Sequence, residues 1–470
     1  MNLLERWESW NVSPEKLVAA LRRPPLDELA RQPLPDGERL FGRPVTVLEG
    51  VRAILDSVRE EGVEALLRWT SLLDRTRLAP DALWVAPEEV ETARKALGPE
   101  LLAGIARARE RIEAFHRAEP VARSWHQVDE DGLVLGQEVR PVRRVGLYVP
   151  GGRAPLFSSL LMGALPARVA GVEEIVVATP PRPDGTVHPA ILAAAAEAGV
   201  SRILRAGGAQ AVAALAYGLP GVLEPVELIV GPGNLFVTLA KREVFGQVGI
   251  DGLPGPSEVL VVADESADPV WVAADLLAQA EHDPQASAVL VTPSAALLDQ
   301  VEAALARGLA ELPAPNRDVA RQSLERWGKA LLCRDLEEAV DWAGRLAPEH
   351  LELAVADPWR WVGRVTAAGA IFLGHWSSEP LGDYLAGPDH ILPTNGSARF
   401  SSGVSVETFL KRSSLLAYSP GAVLRDGPTA ARLARAEGLE AHARAVEARL
   451  AAGRGPASAV GPGTGKEGQG

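Results

Sequence analysis

A single cysteine, Cys333, stands among 470 residues. One thiol makes neither an intrachain disulfide nor a Cys-rich metal site. Its setting, LLCRDL, reads as the end of a buried strand, where a thiol serves as a small hydrophobe. Positive charge is also short: 48 Lys and Arg against 61 Asp and Glu leave a formal net charge of -13. The arginines are dispersed among acids, so no basic field awaits a phosphate backbone or anionic lipid. Nucleic acid and membrane are therefore not expected partners. No uninterrupted apolar segment reaches the ~18–20 residues of a membrane span. The start, MNLLERWESW, carries acids and aromatics where a signal peptide has a basic start and an apolar run. A cytoplasmic protein is expected. Also missing are a repeat of the usual solenoid periods and a complete G-x-G-x-x-G after any strand, so no dinucleotide fingerprint is present.

What is present is core-forming material. With 47% hydrophobic residues the chain is long enough for two or more domains, since single domains usually run ~100–200 residues. Up to about Ala118 the apolar residues recur at three- and four-residue steps, as in VRAILDSVREEGVEALLRWTSLLD, which predicts scaffold helices. From Arg143 short β-branched runs alternate with Ala/Leu-rich helices: RRVGLYVP, SSLLMGALPARVAGV, EEIVVATPP, HPAILAAAAEAGV, RILRAGG. That is βαβ, hence a parallel sheet with helices on its faces. SEVLVVAD, SAVLVTP, KALLCRD and GAIFLG supply strands for a second sheet. The expected fold class is α/β: two Rossmann-like parallel-sheet domains plus small helical N- and C-terminal segments. The expected division is 1–32, an N-terminal helical segment; 33–142 with 259–400, a first, discontinuous α/β domain; 143–258, a second; 401–452, a helical C-terminal segment; and 453–470, a disordered Gly/Ser/Pro-rich tail.

Polar residues of chemical interest gather in a few places. Asp268-Pro269 starts a helix that runs to Asp283-Pro284 and leaves Gln279 and His282 stacked in its last turn. For that pair alone, capping the last carbonyls is the simpler role. Other histidines also sit in polar, glycine-punctuated settings: His350 in APEHLEL, His390 in LAGPDHILPT and His442 in EGLEAHARA. A carboxamide oxygen, two imidazoles and a carboxylate suit zinc or a similar ion, and Asp383 completes such a set with Gln279, His282 and His442. Adjacent Glu349 and His350 can both reach one reacting carbon, one activating water and the other moving protons, although for an isolated pair solvated polar residues at a helix-to-strand turn are the simpler reading. Glycine turns after strands, VPGGRAP, RAGGAQA and VGPGNLF, let backbone amides approach an anion or cofactor, although ordinary tight turns explain them as well. His116, His126 and His188 read as structural or surface residues. On residues alone, a zinc dehydrogenase, a metal-dependent hydrolase and a non-catalytic α/β binding protein all remain open.

RRVGLYVPGGRAP, AGGAQAVAALAYG, IVGPGN, KREVFGQVGID, GPSEVLVVAD, LLAQAEHDP, APEHLEL, GDYLAGPDHILPT, ARFSSGVSVETFLKR and EGLEAH together resemble the histidinol dehydrogenases, in family order from about Trp125 to His442. The resemblance implies oxidation of L-histidinol through L-histidinaldehyde to L-histidine with two NAD, the last steps of histidine biosynthesis. It puts the zinc ligands on Gln279, His282, Asp383 and His442, the ion chiefly anchoring the substrate. It makes His350 the base for the hydroxyl proton and Glu349 the activator of water for the second oxidation. Ser257, His390 and Glu437 then bind substrate, and Tyr148, Gln210 and Asn234 line the NAD site. It also implies a homodimer in which the segment carrying Glu437 and His442 reaches the partner's active site. Two departures stand out: Asp389 in GPDH, where Asn is expected, and the run AYGLPGVLEPVELIV before GPGN.

Overall fold

The computed structural model describes residues 3–21, 24–151 and 155–453. The expected disordered tail therefore lies outside the described residues. The chain divides into two compact units, one holding the described residues up to Pro120 together with Pro141–Phe409, the other Val121–Arg140 and those from Leu410 onward.

The first unit is built on two all-parallel sheets. The five-stranded sheet runs, in spatial order, Arg202–Arg205, Glu174–Thr179, Arg144–Tyr148, Leu228–Val230, Gly249–Ile250. Its strand order reverses between Arg144–Tyr148 and Leu228–Val230, so a crevice is expected at the carboxyl ends of those two strands. Residues alternate between its faces: Tyr148, Val176, Ala178, Leu204 and Ile229 enter one core, while Val145, Leu147, Val177, Ile203 and Val230 enter the other. The first core is closed by helices Val47–Glu61, Val63–Trp69, Gly208–Tyr217 and Leu235–Val244, the second by Pro87–Ala96, Pro99–Ala118, Phe157–Ala170 and Pro189–Glu197.

The six-stranded sheet runs Glu5–Glu8, Lys329–Leu332, Ser287–Thr292, Glu258–Ala263, His350–Ala354, Ala370–Leu373. Val259, Val261 and Ala263 face a core with helix Pro269–Ala280, while Leu260 and Val262 face Trp342 of helix Leu336–Leu346. Cys333 is buried just past its strand, as expected.

Three features differ from the sequence reading. The helices between residues 37 and 118 share cores with the five-stranded sheet, not with the 259–400 sheet they were grouped with. Which sheet a helix covers is a matter of topology, to which its periodicity is blind. The N-terminal segment begins with a strand, ERWE, at the edge of the six-stranded sheet before helix Pro14–Leu21. The second unit contains an antiparallel pair, Trp125–Val128 with Val134–Pro141, joined in one sheet by Leu410–Ala417. Trp125–Val128 and Leu410–Ala417 are largely exposed and Val134–Pro141 is mostly half-buried, so their apolar alternation is weak. The unit is completed by helices Pro420–Ala436 and Glu440–Gly453. They close at Gly427, where a Cβ would lie 2.9 Å from Leu450 Cδ2.

Among the described residues no helix is long and apolar enough to cross a membrane.

Candidate active site

The amino ends of two central strands of the six-stranded sheet, Glu258–Ala263 and His350–Ala354, lie side by side, His350 in register with Val259. Glu258 opens the first and His350 the second, with Ser257 and Glu349 immediately before them. Helix Pro269–Ala280 runs back along the sheet, capped at its start by Asp268 accepting from the Val270 and Trp271 amides. Its C-terminal end carries Gln279, fully buried, with Nε2 3.2 Å from Nδ1 of exposed His282.

Asp383 comes from a π-helical turn, Gly382–Ala386. The turn approaches the sheet closely because position 382 has no side chain: a Cβ there would be 2.5 Å from Phe372 Cε1. Asp383 Oδ1 is 3.7 Å from Nε2 of His350 and 3.9 Å from Nδ1 of His390. His282, Glu379 and Asp383 each offer a ligand atom within 4.8 Å of the others.

His350 is buried, and its Nδ1 is 3.1 Å from the Glu258 carbonyl. A carbonyl only accepts, so Nδ1 carries a proton, while Nε2 is buried without a hydrogen-bond partner and faces Asp383. Glu349 is anchored beside it, Oε2 accepting from the Glu258 amide at 2.8 Å. His390 bridges elements: Nδ1 donates to the Asp383 carbonyl at 3.0 Å and Nε2 is 3.1 Å from Ser159 Oγ. Ser159 lies in the first turn of helix Phe157–Ala170, which follows the carboxyl end of strand Arg144–Tyr148. His390 thus ties the amino edge of one sheet to the carboxyl edge of the other.

The electrostatics show a shortage of positive charge. Burial pushes Glu349 up to about 8 and Glu379 up to about 7. Burial opposes the charging of His350, yet Glu379, Glu349 and Asp383 raise it to about 10. Burial also opposes ionisation of Asp383, but the nearby His350, His390 and His282 hold it below the usual range. Behind these groups burial lifts Asp275 to about 6 and Glu352 well above its ordinary value. Glu352 Oε1 accepts from the Glu379 amide at 2.9 Å. The groups acting on these acids and on His350 are carboxylates, imidazoles and backbone amides, and an added divalent cation relieves such a cluster. The buried Oε1 of Gln279, which has no hydrogen-bond partner, is a further oxygen donor there. The residues present therefore fit zinc.

Glu379, Asp275 and Glu352 were missed in the sequence, yet each carries a spacing signal. Asp275 and Gln279 lie four residues apart and His282 three further on, one helix face. Glu352 is two residues from His350 along a strand, on the same side, and Glu379 is four before Asp383.

Glu437 and His442 belong to the second unit, where both are exposed, His442 in the first turn of helix Glu440–Gly453. Tyr148 ends its strand, and its hydroxyl accepts from the Gly208 amide at 3.1 Å. Gln210 is fully buried, with Nε2 3.2 Å from Asp74 Oδ2. Asn234 caps helix Leu235–Val244, accepting from the Phe236 and Val237 amides at 3.1 and 3.2 Å. Gly231, at φ +123, lies so close to Tyr148 that a Cβ would be 2.1 Å from its carbonyl oxygen. The Gly231 amide donates to Asp251, which is paired with buried Lys241. Two of the three glycine turns thus have amides already engaged within the chain; the third, VPGGRAP, falls partly outside the described residues. His116 is buried, 2.6 Å from Glu119, and His188 accepts from the Ala190 amide, so both are structural.

A family model described as histidinol dehydrogenase matches residues 42–450. The chain is 55% identical over 399 residues to a histidinol dehydrogenase of Moorella thermoacetica, covering 85% of this chain and 93% of the relative. It is 53% identical over 423 residues to one of Deinococcus radiodurans, covering 89% and 95%. The crystal structure of histidinol dehydrogenase from Elizabethkingia anophelis matches with a TM-score of 0.83 at 33% identity, covering 96% of this chain and 99% of that one. A metal-fitting cluster beside an acid–base pair, and matches spanning most of both chains, have one common reading: this chain belongs to the histidinol dehydrogenase family.

Proposed function

We propose that this chain oxidises L-histidinol through L-histidinaldehyde to L-histidine in the cytoplasm, with two NAD, as the closing steps of histidine biosynthesis. The observation that carries the reading is His350, held by Nδ1 on a backbone carbonyl with Nε2 buried and unpartnered beside Asp383. When bound, zinc supplies a fixed charge that anchors the substrate's nitrogens, and NAD accepts the hydrides. Gln279, His282 and Asp383 hold the ion, with His442 supplied by a second chain. Ser257, His390 and Glu437 orient the substrate.

His350 Nε2 takes the hydroxyl proton in the first oxidation. Glu349 then takes a proton from water attacking the aldehyde while His350 returns its proton to the aldehyde oxygen, and the hydrated aldehyde loses its second hydride with His350, neutral again, accepting the hydroxyl proton. Cys333 takes no part: it is buried, and burial pushes its thiol up to about 12. The dinucleotide lies along the carboxyl edge of the five-stranded sheet, where Tyr148, Gln210 and Asn234 gather near the reversal in strand order. The buried, unpartnered Oε1 of Gln210 and the side-chain-free approach at Gly231 fit such a ligand.

The test is zinc-loaded protein with L-histidinol and NAD, following NADH and histidine together. Two NADH per histidine are expected. Turnover of histidinol without nicotinamide reduction, or none in a metal-replete dimer, rejects the reading.

A further inference from the structure

Gln210 is the third residue of helix Gly208–Tyr217, and its amide has unequal neighbours. Nε2 faces Asp74 Oδ2 at 3.2 Å. Asp74 closes a π-helical turn, Thr70–Asp74, and its other oxygen is beside Gly207, where a Cβ would be 2.8 Å from it. The Gly207 amide donates to the Asp74 carboxylate. Burial pushes Asp74 up to about 6, opposed by the Gly207 and Gln210 donors, so it is ionised at neutral pH.

An ionised carboxylate has only acceptors. Turning the Gln210 amide over would set Oε1 against Oδ2, oxygen to oxygen. Oε1 is thereby directed away from Asp74, and it is buried without a partner. Room beside it comes from Gly208, at φ +57, where a Cβ would be 2.8 Å from that oxygen. Thr179 Oγ1, at the carboxyl end of a neighbouring strand, is likewise buried and unpartnered, and a Cβ on Gly151 would lie 2.9 Å from it. A buried carbonyl oxygen without a donor is unfavourable until something supplies one. A phosphate does not: it brings more acceptors, and the amides of Gly207 and Gly208 are already engaged by Asp74 and Tyr148.

We propose that Asp74 is a positioning residue that fixes the polarity of the Gln210 carboxamide, making Oε1 the acceptor through which the enzyme reads an N–H donor of its dinucleotide. This rests on the nucleotide reading of the five-stranded sheet edge given above. Two groups of NAD offer that chemistry, the exocyclic amine of adenine and the carboxamide of nicotinamide.

The experiment measures dissociation constants of the zinc-loaded, full-length enzyme for three oxidised dinucleotides. These are NAD, its hypoxanthine analogue, which replaces the adenine amine by a carbonyl, and its 3-acetylpyridine analogue, which replaces the carboxamide by a methyl ketone. In the wild type one analogue binds about tenfold more weakly than NAD, the loss of one hydrogen bond, and the other binds as NAD does; which one identifies the group read. In Asp74→Asn the substituted amide turns its NH2 toward Gln210, the carboxamide reverses, and the discrimination collapses or inverts while zinc content and histidinol affinity hold. Gln210→Ala abolishes the discrimination. Equal binding of all three dinucleotides by the wild type overturns the proposal without any variant, as does an unchanged ratio in folded Asp74→Asn. If Gln210→Ala leaves NAD affinity and both ratios untouched, the placement of the dinucleotide fails. If Gln210→Ala loses the discrimination and Asp74→Asn keeps it, only the polarity claim fails.

Discussion

His350 commits Nδ1 to the Glu258 carbonyl and keeps Nε2 beside Asp383, whereas Glu349 is held by the Glu258 amide. Two neighbouring side chains are thus fixed by the two backbone groups of one residue. Their separate anchoring underlies separate roles. His350→Gln should slow the first hydride transfer by roughly 10²–10⁴, the usual worth of a positioned base, with zinc content unchanged. Glu349→Gln should spare histidinol oxidation and impair aldehyde oxidation, read by supplying each substrate to the enzyme separately. Equal loss in both half-reactions would contradict the division. Another buried acid, Asp389, stands where the resemblance to the family leads one to expect Asn. One oxygen accepts from the Ile391 amide at 2.7 Å, while Oδ2 is unpartnered and 3.9 Å from unpartnered Nε2 of His116. Burial raises Asp389 well above the ordinary carboxylate range. Its unfolded value is about 3.9, so its favourable contribution is full below about pH 4 and is lost as pH rises through the folded-state value. Asp389→Asn carries no such loss and offers an N–H to His116. Its melting temperature should match the wild type near pH 4 and exceed it increasingly toward neutral pH. A constant offset across that range would show that the carboxyl is not held neutral.

At the scale of elements, a helix end and a tight turn compose the metal-fitting cluster. Asp268-Pro269 and Asp283-Pro284 bracket the helix in the sequence, and the structure runs it from Pro269 to Ala280. Local capping chemistry decides such boundaries. The turn bearing Asp383 follows no such local rule: it is π-helical and meets Phe372, a residue on another element. Gly382→Ala should therefore displace Asp383 and lower zinc affinity, at a stability cost of about 1–3 kcal/mol for the overpacked methyl. His282→Ala should lower zinc affinity by more than the roughly 10–100-fold typical of losing an outer partner. Both are read by metal analysis after dialysis against a graded chelator. Full zinc occupancy in both variants would reject this shell.

For the whole molecule, the amino edge of one sheet carries the acid–base pair, and the carboxyl edge of the other carries the residues proposed for the dinucleotide. The second unit carries Glu437 and His442 on its exposed surface. If active sites are shared between two chains, His442→Ala and Glu349→Gln complement one another. Each mixed dimer then has one site with both changes and one with neither. Random reassociation should restore about a quarter of wild-type activity, whereas a site contained in one chain would recover none. The sequence by itself determined the α/β class, the helix whose last turn carries Gln279 just before His282, the buried thiol and the conspicuous Glu349-His350 pair. Those are consequences of periodicity, capping and residue chemistry, which act over a few neighbours. Only the tertiary structure decided which sheet the helices between residues 37 and 118 cover, that residues 5–8 form an edge strand, and that Glu379, Asp275 and Glu352 join the cluster. It also decided which nitrogen of His350 is free and which way the Gln210 amide points. Each of these depends on partners tens to hundreds of residues away, whose approach is set by how the sheets stack and not by any local pattern.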